Sequence, residues 1–306
     1  MYFNKDFTTT IAKEGRYALV TGASSGLGRC YALELARQGI DTLLVALPGS
    51  GLDEVVAASR QYGVNCIPFE ADLCNEEALY ELCWKIDTRY SLFMIINNAG
   101  TGGTKRFTTC TPEYLDRILH LNIRVPTLLT RYLLPNLRQA PEAFILNVAS
   151  MAAFSPTGFK TVYPASKRFV FHFSLGLREE LRGTGVSVSC VAPGPMKTNA
   201  EITGRIERQG VFGRLGLLSP EEVARISLRG LFRRRALILP GWSNRINRLL
   251  LSLIPQPVRI RLMSRVIARE LGNDSGTMDL AAKRHANLRE PTDPLRQNLL
   301  YNDAIQ

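Results

Sequence analysis

Tyr163 and Lys167 stand four residues apart, so on a helix their side chains share one face, a single turn from each other. A tyrosine hydroxyl ordinarily loses its proton near pH 10, and a neighbouring ammonium favours the phenolate. Lowering that pKa by about three corresponds to roughly 4 kcal/mol of differential interaction. A pair so tuned can exchange a proton with a substrate oxygen near neutral pH. A second feature lies far upstream, in Thr21-Gly22-Ala23-Ser24-Ser25-Gly26-Leu27-Gly28. Glycines let a backbone turn sharply and approach a pyrophosphate closely, and the free N–H groups of a helix N-terminus favour negative charge. Dinucleotide binding is the expected use, with an ordinary strand-to-helix loop as the alternative. The Gly-Lys-Ser/Thr ending of a triphosphate-binding loop is absent. The cysteines (30, 66, 74, 83, 110 and 190) show no C-x-x-C pair and the histidines (120, 172 and 285) are scattered, so no metal site is expected.

The elements that must position these groups alternate along the chain. Tyr17 to Val20 is an apolar run ending at the glycine-rich turn, and Leu27, Tyr31 and Leu35 then repeat at helical spacing. Thr42 to Ala46, Val64 to Phe69 and Leu92 to Ile96 read as strands, separated by a helix over Leu52 to Tyr62 and a helical face of Leu79, Leu82, Cys83 and Ile86. Thr111-Pro112 opens a helix as cap and first-turn proline, and Asn122 falls within that helical stretch. Ala143 to Val148 and Val186 to Val191 are further strands, with a long helix following Tyr163 between them. Ser219-Pro220-Glu221-Glu222 is a capping box that starts a helix running towards Phe232. Strands and helices in this order predict an α/β fold, a Rossmann-like doubly wound parallel sheet with helices on both faces.

Five stretches, in order and in register, resemble the classical short-chain dehydrogenase/reductase family over roughly residues 15 to 245. The glycine-rich turn is one, and by resemblance Gly22, Ser24, Ser25, Gly26, Leu27 and Gly28 hold the cofactor phosphates. Asp72, followed by Leu73, matches the acidic residue that contacts the adenine amino group. Asn98, Ala99 and Gly100, after Asn97, match the stretch beside the ribose. Tyr163-Pro164-Ala165-Ser166-Lys167 matches the family's Y-x-x-x-K. Pro193 and Gly194, with Thr198 beyond, match the loop that clasps the nicotinamide carboxamide. Ser150, thirteen residues before Tyr163, stands where the family places its catalytic serine; Ser155 and Ser166 are rivals away from that strand end. Asn122, twenty-eight before Ser150, matches the helix asparagine that holds a water in the proton relay; the alternative is an asparagine bonded to local backbone. The resemblance implies hydride transfer from a nicotinamide to a carbonyl held by Ser150 and Tyr163. Tyr163 would donate the proton, and Lys167 would lower its pKa and bind the ribose hydroxyls. Run backwards, the same parts oxidise a secondary alcohol. Pro164 is tolerable if the helix begins there, and Ala149 stands where relatives often have a second serine.

Cofactor choice falls to the end of the second strand, Ala46-Leu47-Pro48, which carries no carboxylate. NADP is therefore expected, with NAD as the alternative. Leu47 replaces the arginine many NADP users have, leaving Ser50 or Ser24 to supply hydrogen bonds, with Arg29 a solvated helix residue. Ile202, Ile206, Val211, Phe212, Leu215, Leu217 and Leu218, with Met151 and Phe154, predict an apolar pocket, or else the core of extra helices. A long-chain 3-oxoacyl or sphingoid-type ketone or a hydroxysteroid is the expected small-molecule substrate. The rival reading is a non-catalytic dinucleotide sensor, which has no need of the tyrosine–lysine pair. The resemblance also implies a homo-oligomer, dimer or tetramer.

The 306 residues carry a net charge of +11 with 45% hydrophobic residues, a composition that excludes a disordered or collagen-like chain. No aromatic-interleaved basic motif supports nucleic-acid binding. The charge is concentrated: residues 201–270 hold fourteen arginines and five glutamates, +9 of the total. Within it Ile246, Leu249, Leu250, Leu253 and Ile254 fall at helical spacing beside Arg245 and Arg248, as do Leu262, Val266 and Ile267 beside Arg261, Arg265 and Arg269. Such faces suit an anionic membrane surface, or packing on the domain or on a second subunit. The expected division is an extension over 1–14, a catalytic domain over 15–245, a basic amphipathic helical appendage over 246–271 and a polar tail over 272–306. No apolar run is long enough to span a bilayer, and the N-terminal residues lack the apolar stretch of a secretory signal. The cytoplasm is the expected compartment, with peripheral contact at the inner membrane face as an alternative.

Overall fold

Runs such as Leu43-Leu44-Val45 and Leu92-Phe93-Met94-Ile95-Ile96 show no polar alternation, so a strand built from them must be covered on both faces. All eight of these residues are buried. The computed structural model describes residues 15–196 and 217–268. Within them seven strands form one parallel sheet in the order β3-β2-β1-β4-β5-β6-β7. The strands are β1 (Arg16–Thr21), β2 (Thr42–Ala46), β3 (Cys66–Glu70), β4 (Ser91–Asn97), β5 (Ala143–Val148), β6 (Val186–Val191) and β7 (Leu237–Ile238). The helices between them are α1 (Gly26–Arg37), α2 (Leu52–Arg60), α3 (Glu76–Arg89), α4 (Pro112–Leu119), α5 (Val125–Leu137), α6 (Val162–Glu180) and α7 (Pro220–Phe232), followed by α8 (Trp242–Leu253) and α9 (Gln256–Ala268). The strand order reverses at β1, which pairs with β2 on one side and β4 on the other. Such a switch point opens a crevice beyond the carboxyl ends of the strands, and the glycine-rich turn lies there.

Local signals produce these elements as expected. Thr111 caps α4 by accepting from the Tyr114 N–H at 3.3 Å, and Ser219 and Glu222 form the reciprocal box at the start of α7. Asn122 falls within the helical stretch that Thr111 opens, in a π turn over His120–Arg124 that joins α4 to α5. The long helix starts one residue before Tyr163, so Pro164 sits in its first turn, where its missing N–H costs nothing. The extension over 1–14, Thr198, Arg269 and the tail over 272–306 lie outside the described residues, as do Ile202, Ile206, Val211, Phe212 and Leu215.

Candidate active site

The turn after β1 is held tightly from behind. The Asn98 carboxamide donates to Thr21 O at 2.9 Å and Gly22 O at 3.2 Å, and the Thr21 hydroxyl accepts from the N–H groups of Asn98 and Ala99, both at 3.0 Å. Gly22 and Gly26 have φ of 66° and 53°, the left-handed region that glycine enters freely. A Cβ on Gly28 would lie 1.9 Å from Gly22 O, so α1 can begin this close to the turn only with glycine there. No side chain caps α1 at Ser25, which leaves the helix N-terminus with its orphan N–H groups facing the crevice. Uncapped donors in a tight cradle are the chemistry a pyrophosphate needs, and a nicotinamide dinucleotide fits this end of the site.

At the other end, β5 delivers Ser150 and α6 delivers Tyr163 and Lys167 to one cleft of about 520 Å³, which Leu27, Asn98 and Gly100 also line. Ser150 sits at the head of a short 3-10 turn, Met151–Phe154. It hydrogen-bonds Tyr163. Lys167 is buried and donates to Val148 O at 2.9 Å. Burial pushes its ammonium down to about 8. Tyr163 departs from the expectation: burial raises its phenol, and the hydrogen bond to Ser150 is what pulls it back. The reason is geometric, since the ammonium points at Val148 O and stands 6.0 Å from the ring centroid. In a cleft that desolvates both groups, burial outweighs that attraction.

Asn122 is 1% exposed and fully engaged. Its Oδ1 accepts from Thr101 N at 2.9 Å, while Nδ2 donates to Thr101 O at 2.8 Å and Ser166 Oγ at 3.0 Å. Both carboxamide N–H groups are thus used, one on a loop twenty-one residues away and one on Ser166 of α6, and not on local backbone. Ser166 donates in turn to Tyr163 O at 2.8 Å, so the rival serine supports the site from beneath. Ser155 does line the cleft, and its buried hydroxyl has no partner among the described residues. Asp72 is exposed and accepts from Cys74 N at 3.0 Å, while Leu73 is buried in the core. Pro193 and Gly194 line the cleft. Ser24, Ser25 and Gly26 border a neighbouring cavity of about 600 Å³ with Arg29 and Glu54. Ser50 is exposed and donates to Leu47 O at 2.6 Å.

The cleft has a second wall that the sequence reading left out. Asn247 and Leu251 from α8, and Met263 and Ile267 from α9, line it together with Ser150 and Tyr163. The wall is tied down where Ser264 accepts from Gly158 N at 2.7 Å and Arg248 lies 4.5 Å over the Phe154 ring. Phe154 itself packs edge-on against Phe171 at 5.2 Å and is not a cleft residue; Leu217 and Leu218 border the other cavity. Asn244, 1% exposed, also lines the cleft and presses on Gly194, where an added Cβ would lie 2.5 Å from its Oδ1. Nothing in its local sequence singles it out. No cluster of metal-ligating side chains occurs among the described residues.

The family model described as short chain dehydrogenase matches residues 16–208. The chain belongs to the short-chain dehydrogenase family. It is accordingly an NAD(P)-dependent oxidoreductase. It is 33% identical over 190 residues to a very-long-chain 3-oxoacyl-CoA reductase of Anas platyrhynchos, a match covering 58% of this chain and 59% of that protein. Among solved structures it resembles a short-chain dehydrogenase from Sphingobium yanoikuyae in complex with NADPH, at 32% identity and a TM-score of 0.67, covering 79% of this chain and 97% of that one. It also resembles a bulky-bulky ketone specific alcohol dehydrogenase from Comamonas testosteroni, at 29% identity and a TM-score of 0.66, covering 79% and 95%. The family match ends before α7, so the α8–α9 wall belongs to the part of this short-chain dehydrogenase that the match leaves out.

Proposed function

We propose that the chain reduces a bulky or long-chain apolar ketone with NADPH, and oxidises the corresponding secondary alcohol in reverse. The observation that carries this reading is the apolar wall of Leu251, Met263 and Ile267 in the cleft that holds Ser150 and Tyr163. The names of the duck and Comamonas relatives fit it, and the NADPH bound to the Sphingobium structure fits the cofactor. When bound, the nicotinamide supplies or accepts the hydride. Gly22 to Gly28 would hold its pyrophosphate, Asn98 to Gly100 its ribose, and Pro193 with Gly194 its carboxamide. The carbonyl oxygen takes hydrogen bonds from Ser150 and Tyr163, which draws charge onto it and fixes its place. Tyr163 then gives up its phenol proton to that oxygen. A lysine brought down to about 8 exchanges its own proton readily near neutral pH, so Lys167 is suited to resupply the phenol. Asn122 positions: it ties the Thr101 loop to Ser166 and so fixes the first turn of α6. Exposed Leu119, Tyr132 and Phe169 on α4, α5 and α6 support a homo-oligomer through those helices.

A screen following NADPH consumption over aliphatic ketones, 3-oxoacyl thioesters and ketosteroids tests the reading, with Tyr163→Phe as its control. Removing one proton donor costs about 10²- to 10⁴-fold in turnover, while nucleotide binding should persist. Full activity in that variant, or turnover confined to small polar sugars, would overturn the assignment.

A further inference from the structure

The helices that wall the cleft have a second face. On α8, Trp242, Arg245, Ile246, Leu249, Leu250 and Leu253 recur at helical spacing, and all are exposed. Trp242 is 74% exposed, Leu249 63% and Leu253 73%. Val258 and Leu262 on α9 continue the stripe, accompanied by Arg261 and Arg265. Isolated exposed leucines are ordinary, but a run of this length is not. The inward face of the same helices is separately satisfied by Asn244, Leu251, Val266 and Ile267. From residue 242 to 268 there are five arginines and no aspartate, glutamate or lysine.

We infer that this outward face docks on an anionic lipid bilayer, lying in the plane of its surface. No helix of the described residues is long and apolar enough to cross a membrane, so the contact is interfacial. A tryptophan at one end, a leucine stripe and unbalanced arginines are the combination that partitions into the headgroup boundary of anionic lipid. A second copy of the chain fits worse, because a two-fold contact would set this cationic face against itself. Since the inner side of the same two helices is the cleft wall, docking brings the cleft beside the lipid. Its use in taking an amphiphilic ketone from the bilayer rests on the function proposed above; the docking does not.

Co-sedimentation with vesicles of phosphatidylcholine alone and of phosphatidylcholine with phosphatidylglycerol tests the docking without any turnover. The protein should pellet with the anionic vesicles and be released by salt. Near the surface each arginine contributes about fivefold in partitioning, so Arg261→Gln with Arg265→Gln should weaken binding roughly thirtyfold. Leu249→Ser with Leu253→Ser should weaken it by more than about tenfold. Both double variants leave the cleft residues untouched, and circular dichroism checks their fold. Equal pelleting with neutral vesicles, no pelleting, or indifference to the arginine changes would overturn the inference. So would a dimer in sedimentation velocity that the leucine changes dissociate, since a second copy would then own this face.

Discussion

Gly194 and Asn244 form a contact whose energetics can be dissected. An alanine Cβ at Gly194 would lie 2.5, 2.7 and 2.9 Å from three atoms of the Asn244 carboxamide. That side chain cannot swing clear, because it is buried and its Nδ2 donates to Pro240 O at 2.8 Å. The φ of Gly194 lies outside the left-handed region, so the penalty of Gly194→Ala is steric alone. Overpacking of this kind costs about 2–3 kcal/mol. Asn244→Ala removes a buried hydrogen bond and leaves Pro240 O unpaired, at about 1–3 kcal/mol. In the double variant the clash vanishes, and an added alanine restrains the unfolded chain by about 0.4–1 kcal/mol. The double variant should therefore be no less stable than Asn244→Ala, a coupling of about 2–3 kcal/mol. Urea unfolding of the four proteins, read at constant slope, measures it. Simple additivity of the two single changes would show that Gly194 does not need to be a glycine for this contact.

Lys167→Met should raise the unfolding midpoint at pH 7 while abolishing turnover, because it removes a cation that burial disfavours. The sign follows from the lowered pKa: below pH about 8 the folded protein carries that cost in full, and it is relieved as pH rises towards the unfolded value of about 10.4. The advantage of the variant should close over that window, and an advantage that widened with pH would refute the reasoning. Leu47→Asp places a carboxylate at the end of β2, beside the expected adenosine ribose. The ratio of NADPH to NADH dissociation constants should move towards NADH by about tenfold or more, and an unchanged ratio would place the ribose elsewhere.

The parts of this molecule visible in its sequence are those fixed by local chemistry. Apolar runs without alternation gave buried parallel strands, glycines marked the turn after β1, and Thr111 and Ser219 announced the starts of α4 and α7. Ser150, Tyr163 and Lys167, matched one by one through the family resemblance, line one cleft. What stayed hidden depends on which neighbour an element meets. An amphipathic helix reads alike whether its apolar residues face lipid or a cleft, and α8 has apolar residues on both sides, Leu251 inward and Leu249, Leu250 and Leu253 outward. The direction of the Tyr163 shift was hidden for a similar reason. Helical spacing places Lys167 nearby, but only coordinates show its ammonium turned to Val148 O and both groups desolvated.

The sheet order carries a consequence for how the protein is made. After β1 to β3 have paired, β4 adds to the free side of β1, and β5, β6 and β7 then each add to the outer side of the strand before. A chain emerging from the ribosome can thus extend the sheet by accretion at one edge, without opening a pairing already formed. The turn after β1 and its Asn98 brace are complete once about a third of the chain has been translated. The α8–α9 wall is translated after all seven strands. Premature termination before residue 242 would therefore leave a protein with its glycine-rich turn and its Ser150–Tyr163 pair, but with a cleft open on one side.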